Sequence, residues 1–501
     1  MKKIYLLGIL VVMLSGCDHF LDRTPYDNMD EDIVFEKLEH VQGALYGVYD
    51  AISHENYYGR QVYAYEAAKG PDFYVNSGTG NRFERENGYQ ESSSSGGFAV
   101  DTWEQLYGVV KATTNIIGRI DNVPGNEEEK KRIKGEAHAL RGLTYFDLMR
   151  MFAYPPIFSC PGGAKYEDKY KKGVPVVLTI EELNSVITTP IGRSDAATCY
   201  EKILHELNQA KTCLKGMPVK QGEISYYAVC ALLSRVYLYL GKWEEAITEG
   251  ELALGGKSKM MDYSEYKTNY YKPFCKENIW ELAYTATDNL STAALNYIIR
   301  YPTIDNPEDP KDGKVSAKQG YAAYSINSLW MNIVKKDAKD VRSYLICDNR
   351  KGRGCRRYIG DPTHYQHNIP VVCLAEVYLN LAEAYAESSR PNGLKTALDY
   401  MNEVHEARTD ETFEGGLLTK QELIDAILLE RRKELVLLGH TYWDCFRRAI
   451  PFKRERKGCV TAANENIDYT LPQVVYPIPE NEMDANPNIR GEQNPGYAPY
   501  Q

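Results

Sequence analysis

The sequence predicts an all-α, mainly helical fold built from helical hairpins, with long irregular loops that form a ligand face. Three observations carry this. Apolar residues recur at steps of three and four along much of the chain. Small residues fall where one helix would cross another closely. Hydrophobic residues make up 43% of the 501 residues, enough for a large core.

Four stretches show the periodicity clearly. They are Ile133, Ala137, Leu140, Thr144, Leu148 and Met151; Ala228, Ala231, Leu232, Val236 and Tyr239; Val371, Leu374, Ala375, Tyr378, Leu379, Ala382 and Tyr385; and Leu423, Ile427, Leu435 and Leu438. Each puts one apolar stripe on a helix. Further helices are predicted at 35–52, 102–121, 198–214, 243–255 and 394–407.

Two segments read as tetratricopeptide-like hairpins. In Gly241-Lys-Trp243-Glu-Glu-Ala246-Ile247, followed by Ala253-Leu254, a glycine ends one helix and alanines admit the next. Ala382-Glu-Ala-Tyr385 with Ala397-Leu398 repeats the pattern. Scaffolds of this kind bind partners and seldom catalyse.

The N-terminus reads as an export signal. Lys2 and Lys3 precede an apolar run from Ile4 to Leu14, too short to span a bilayer, and Leu14-Ser15-Gly16-Cys17 follows. Small residues before a cysteine resemble the bacterial lipobox, which makes Cys17 a lipid attachment site and a membrane anchor. The organisation expected is signal peptide 1–16, tether 17–30, and one domain over 31–501 with ligand-face insertions near 54–100 and 284–368.

Net charge is −10, from 59 basic and 69 acidic residues, which argues against a nucleic-acid partner. Tyrosine dominates the aromatics, with 40 against 12 Phe and 5 Trp, and it is the ring that tolerates a wet interface. The two insertions mix such rings with Asn, Asp and Arg. A pyranose offers a C–H face for stacking and vicinal hydroxyls for paired hydrogen bonds, so this composition fits an oligosaccharide ligand. The candidate ligand-binding residues are Tyr74, Asn81, Arg82, Tyr89, Tyr297, Arg300, Tyr301, Tyr321 and Trp330.

No catalytic residue is predicted. Glu430 and Glu434 lie one helical turn apart and imitate a glycosidase pair, but Arg431, Lys433, Arg447 and Arg448 nearby favour an ion-pair network. His364 and His367 lack metal-ligand spacing and read as a solvated pair. No metal or other cofactor is predicted, although calcium held by scattered Asp and Asn would leave no linear motif. The basic run Arg350-Lys-Gly-Arg353-Gly-Cys-Arg356-Arg357 reads as an exposed charged turn, with anion recognition by arginine forks as the alternative. Within and beside it, Cys347 and Cys355 are the one pair whose spacing suggests a disulfide.

Taken in order, several motifs resemble the SusD-like (RagB/SusD) outer-membrane lipoproteins of Bacteroidetes. They are Cys17-Asp-His-Phe-Leu-Asp22; Glu136-Ala-His-Ala-Leu-Arg141 with Tyr145, Asp147 and Leu148; Phe152-Ala-Tyr-Pro-Pro156; Arg235-Val-Tyr-Leu-Tyr239; Glu277-Asn-Ile-Trp-Glu281; and Glu376 to Ala384. The C-terminal third adds Glu430-Arg-Arg-Lys-Glu434, Gly439-His-Thr-Tyr-Trp443-Asp444, Tyr476-Pro-Ile-Pro479 and Gln493-Asn-Pro-Gly-Tyr497. Leu437-Leu438 and Cys445-Phe446 depart from the pattern. The resemblance implies a lipid-anchored outer-membrane protein facing outward. It would capture oligosaccharide without cutting it and deliver it to a SusC-like TonB-dependent transporter, acting as its lid. Two alternatives are a peptide-capturing member of the same fold and a periplasmic tetratricopeptide scaffold.

Overall fold

The computed structural model describes residues 31–500 except 78–79, 81, 95–96, 187, 258, 300–319, 350–351, 359–366 and 416–417. The signal segment, the tether and Cys17 lie outside the described residues. So do Asn81, Arg300, Tyr301, Arg350, Lys351 and His364.

The predicted helices are present. In chain order they begin with α1 (Leu38–Ser53), α2 (Gln61–Lys69), α3 (Phe98–Arg119) and α4 (Glu127–Phe152). Asn126 caps α4 by accepting the Glu129 N–H, and Glu127, Glu128 and Glu129 complement the positive end of its dipole. Then come α5 (Ala196–Leu214), α6 (Tyr226–Tyr239) and α7 (Trp243–Ala253), with Ser225 capping α6. Gly241 takes φ +66° to turn α6 back onto α7.

Downstream of β1 (Phe73–Val75) and β2 (Asn278–Leu282), the chain forms α8 (Leu295–Ile299), β3 (Tyr324–Ile326), α9 (Ser328–Lys335), β4 (Ile346–Asn349), β5 (Gly352–Cys355) and β6 (Ile369–Cys373). A second helical pair follows, α10 (Leu374–Glu387) and α11 (Gly393–Thr409), and then α12 (Lys420–Glu434) and α13 (Thr441–Arg447). The two predicted hairpins stack on each other. A Cβ placed on Gly250 of α7 would lie 2.8 Å from the Leu381 side chain of α10, so only glycine lets these helices approach so closely. One contiguous buried cluster runs from Val41 to Ile489.

Five expectations are corrected, three of them by the course of the backbone. The stripe from Val371 to Tyr385 is not all helix, because Ile369–Cys373 pairs antiparallel with β2, Val372 opposite Trp280, before α10 begins. A short apolar run does not distinguish strand from helix. The stretch 54–100 is not wholly irregular, since it contains α2, every residue of which is buried. A helix covered on all sides has no polar face and therefore shows no stripe. Finally, β4 pairs with β5 so that Ile346 faces Cys355 and Cys347 faces Gly354. Alternation then puts Cys347 and Cys355 on opposite faces of the ribbon, and Cys355 carries a free thiol.

The Glu430 and Glu434 region is an ion-pair network, with more distant partners than the sequence suggested. Arg342 reaches Glu430 at 2.6 Å and Asp340 at 2.7 Å, and Arg408 reaches Glu434 at 2.9 Å and Glu277 at 2.7 Å. Arg431 pairs with Asp444 at 3.2 Å, Arg447 with Glu383 at 2.6 Å and Arg448 with Glu387 at 2.7 Å. Burial alone would raise the Glu434 carboxyl, but Arg408 and Arg342 hold it below the usual carboxylate range.

The described part of the basic run is not an exposed turn: Arg353 lies on β5 and is half-buried. Arg356 and Arg357 are buried. The Arg356 guanidinium sits 4.8 Å from the Tyr344 ring centre, and Arg357 donates to the Glu434 carbonyl. His367 is half-buried rather than solvated, with its Nε2 atom buried. Burial lowers its pKa to about 4, and its ring meets Tyr358 edge-on at 4.9 Å.

Candidate functional site

The two insertions come together through short backbone ladders. β1 pairs antiparallel with β3, Tyr74 opposite Ser325. The Asn76 N–H donates to the Ala323 carbonyl at 2.9 Å and its side-chain amide to the Ala322 carbonyl at 2.7 Å. The Tyr321 N–H donates to the Tyr297 carbonyl at 3.0 Å and the Ala323 N–H to the Ile298 carbonyl at 2.9 Å, which fastens α8 to the strand that follows.

This stitching assembles three of the predicted residues. Tyr297 and Tyr321 meet edge to face, with ring centres 4.9 Å apart. The Arg82 guanidinium lies 3.8 Å from the Tyr321 ring centre. All three are half-buried. A cation on one face of Tyr321 and a ring at its edge hold the phenol in one orientation without covering it fully. The result is a fixed aromatic corner beside a charged donor, a surface that stacks apolar faces and hydrogen-bonds hydroxyl or carbonyl oxygens.

The other described candidates lie elsewhere. Tyr74 is half-buried on β1, its ring packed against Gly458, where a Cβ would lie 2.7 Å from the ring. Tyr89 is a core residue. It is 5% exposed, its hydroxyl donates to the Lys69 carbonyl at 2.7 Å, and the Lys69 ammonium sits 4.4 Å from its ring centre. Trp330 is completely buried, with its indole N–H donating to the Arg432 carbonyl at 3.1 Å. Both corrections share a cause: the left-handed turn at Tyr89 and helix α9 point these rings inward, and composition does not report which way a ring points.

A cleft of about 370 Å³ beside Leu290 escaped the sequence reading. Tyr46, Tyr49, Asp50 and Ser53 line one wall, and Tyr284, Asp288 and Asn289 another. Tyr46 is 51% exposed, and its hydroxyl donates to Glu223 at 3.3 Å. Burial raises the Tyr284 phenol, and Asp288 and Asp50 raise it further. The signal was present as helical spacing, since residues 46, 49, 50 and 53 share one face of α1. Among the described residues no cluster of three or more His, Cys, Asp or Glu could hold a metal ion.

A stacked-hairpin helical scaffold carrying two insertions stitched together by short strands is the architecture of a class of binding protein. Within it, the chain belongs to the SusD-like family. Residues 19–238 match the family model described as "Starch-binding associating with outer membrane", and residues 343–497 match the model of the SusD family. A SusD-like protein, P2, of Formosa agariphila is 23% identical over 99% of this chain and 100% of its own length. A SusD superfamily structure from Bacteroides thetaiotaomicron VPI-5482 superposes with TM-score 0.78 at 28% identity, covering 92% of this chain and 100% of that one. A laminarin-binding SusD-like protein shares the fold, with TM-score 0.66 and 20% identity over 92% of this chain and 100% of that one. No described helix is long and apolar enough to cross a membrane.

Proposed function

We propose that this chain is a non-enzymatic glycan-binding lipoprotein. It is anchored in the outer membrane through Cys17 and captures oligosaccharide for a SusC-like TonB-dependent transporter, which it covers as a lid. The observation that carries the binding role is the Arg82, Tyr321 and Tyr297 corner, built from two insertions that are far apart in sequence. The description of the matching family model as starch-binding supports a carbohydrate ligand, and so does the laminarin-binding relative. A binding role without hydrolysis is supported by Glu430 and Glu434, which are spent on Arg342 and Arg408 inside the scaffold.

The test is a glycan-array and calorimetry screen of the protein from residue 18 onward, alongside a Tyr297→Ala/Tyr321→Ala variant. Binding by the parent with at least tenfold loss in the variant, about 1.4 kcal/mol, is expected. Equal binding by both would remove the corner from the site. Turnover of a bound glycan would overturn the non-enzymatic reading.

A further inference from the structure

Tyr266, Arg357 and His367 come from three separate segments and line one narrow pocket of about 30 Å³. Each brings one buried polar atom with no hydrogen-bond partner: the Tyr266 hydroxyl, the Arg357 Nε–H and His367 Nε2. Tyr266 is 1% exposed and Arg357 8%. Three such atoms on residues lining one small pocket are an unusual concentration, because buried polar groups are nearly always satisfied.

The chemistry of the three atoms is complementary to a single molecule. His367 Nδ1 contacts the Asn368 carbonyl, which only accepts, so Nδ1 carries the proton and Nε2 is a bare acceptor. Arg357 uses its terminal nitrogen on the Glu434 carbonyl, which leaves Nε–H as a donor. The Tyr266 hydroxyl can donate or accept.

The surroundings argue against an ion. Arg342, Arg357, Arg408 and Lys433 are matched there by Asp340, Glu277, Glu430 and Glu434. Glu281 is saturated by the N–H groups of Phe274, Asn278 and Asn368. No carboxylate on this cavity is left to call for a cation, and Arg357 has Glu434 beside it. A neutral ligand with both donor and acceptor capacity is required, and a cavity of about 30 Å³ admits nothing larger than water.

We propose that this cavity is a binding site for ordered water, which accepts from Arg357 Nε–H, donates to His367 Nε2 and completes its third bond with the Tyr266 hydroxyl. The water joins the approach to β2, the exit of β5 and the approach to β6. Tyr358, next to Arg357, donates to the Leu437 carbonyl at 2.7 Å, so the same joint ties the base of the second insertion to the end of α12.

A crystal structure of the whole mature protein tests this without any variant. The expected result is one peak roughly 2.7–3.2 Å from all three atoms, refining as water. A cavity without density, direct pairing among the three side chains, or a peak requiring a heavier scatterer would overturn it. Thermal midpoints give a second readout. Tyr266→Phe and His367→Leu should each lower the midpoint by about 1–3 °C, and the double variant by less than the sum, because both damage one shared water. Strict additivity contradicts a shared ligand, and should His367→Leu fail to fold, the parent structure decides alone.

Discussion

Two regions of this molecule are built from the same residue types to opposite ends. Around α12, Arg342, Arg408, Glu430 and Glu434 are almost wholly buried, and each charge meets an opposite one. At the proposed ligand face, Arg82, Tyr297 and Tyr321 are half-buried, and their mutual contacts fix orientation without enclosing them. Burial and matching turn arginine into scaffold, while partial exposure beside aromatic rings keeps part of it at the surface, where the proposed ligand would meet it. Residue type alone does not separate the two roles.

The comparison is broken most forcefully at the buried network. Arg408→Ala leaves Glu277 without its ion-pair partner and Glu434 with Arg342 at 3.3 Å, and should cost about 3–5 kcal/mol of stability in urea unfolding. A cost below about 1 kcal/mol would show the network to be loosely solvated. Trp330→Ala should cost a similar or slightly smaller amount, about 3–5 kcal/mol, with ligand affinity per folded molecule unchanged. Tyr321→Ala should do the reverse, costing under about 1.5 kcal/mol of stability while lowering affinity at least tenfold. Arg82→Ala removes a cation from a partly exposed ring and should weaken binding by about 0.5–2 kcal/mol in calorimetry.

The pH dependence sharpens the contrast. Glu434, Glu383 and Asp444 are held below the ordinary carboxylate range despite burial, by Arg408, Arg447 and Arg431 respectively. Their contribution is present above the unfolded carboxylate values of about 4 and is lost as pH falls through the lower folded values. Glu66 has the opposite sign. Burial raises it to about 7, so its contribution is full below about 4.3 and declines as pH rises through 7. Urea midpoints measured from pH 3 to 8 should therefore fall steeply on the acid side. Glu66→Gln should flatten the slope between about pH 4.5 and 7 while leaving the acid limb in place.

Much of the scaffold was legible in the sequence because amphipathic helices repeat with a fixed period. Ala137, Ala231 and Ala382 all lie where that period put them, in the core. α2 was illegible because burial on every side erases the period, and β6 because five apolar residues suit a strand as well as a helix. At the site, Arg82, Tyr297 and Tyr321 were named from composition, but Trp330 and Tyr89 were named on the same grounds and belong to the core. What distinguishes them is the direction in which α9 and the turn at Tyr89, with φ 53°, point their rings. Arg342 and Arg408 could not be assigned to Glu430 and Glu434, since their pairing depends on chain paths that no local pattern records.

One carboxylate shows how late this fold closes. Glu66 accepts the backbone N–H groups of Gly439, His440 and Thr441, and Gln61 on the same helix donates to the Tyr476 hydroxyl at 2.8 Å. The helix near residue 65 is thus completed by residues nearly four hundred positions later. Until that final portion emerges, a growing chain holds Glu66 and its neighbours without their partners, and contacts of such long range are slow to form. This part of the core is therefore sealed only once residues 439–476 are available to it.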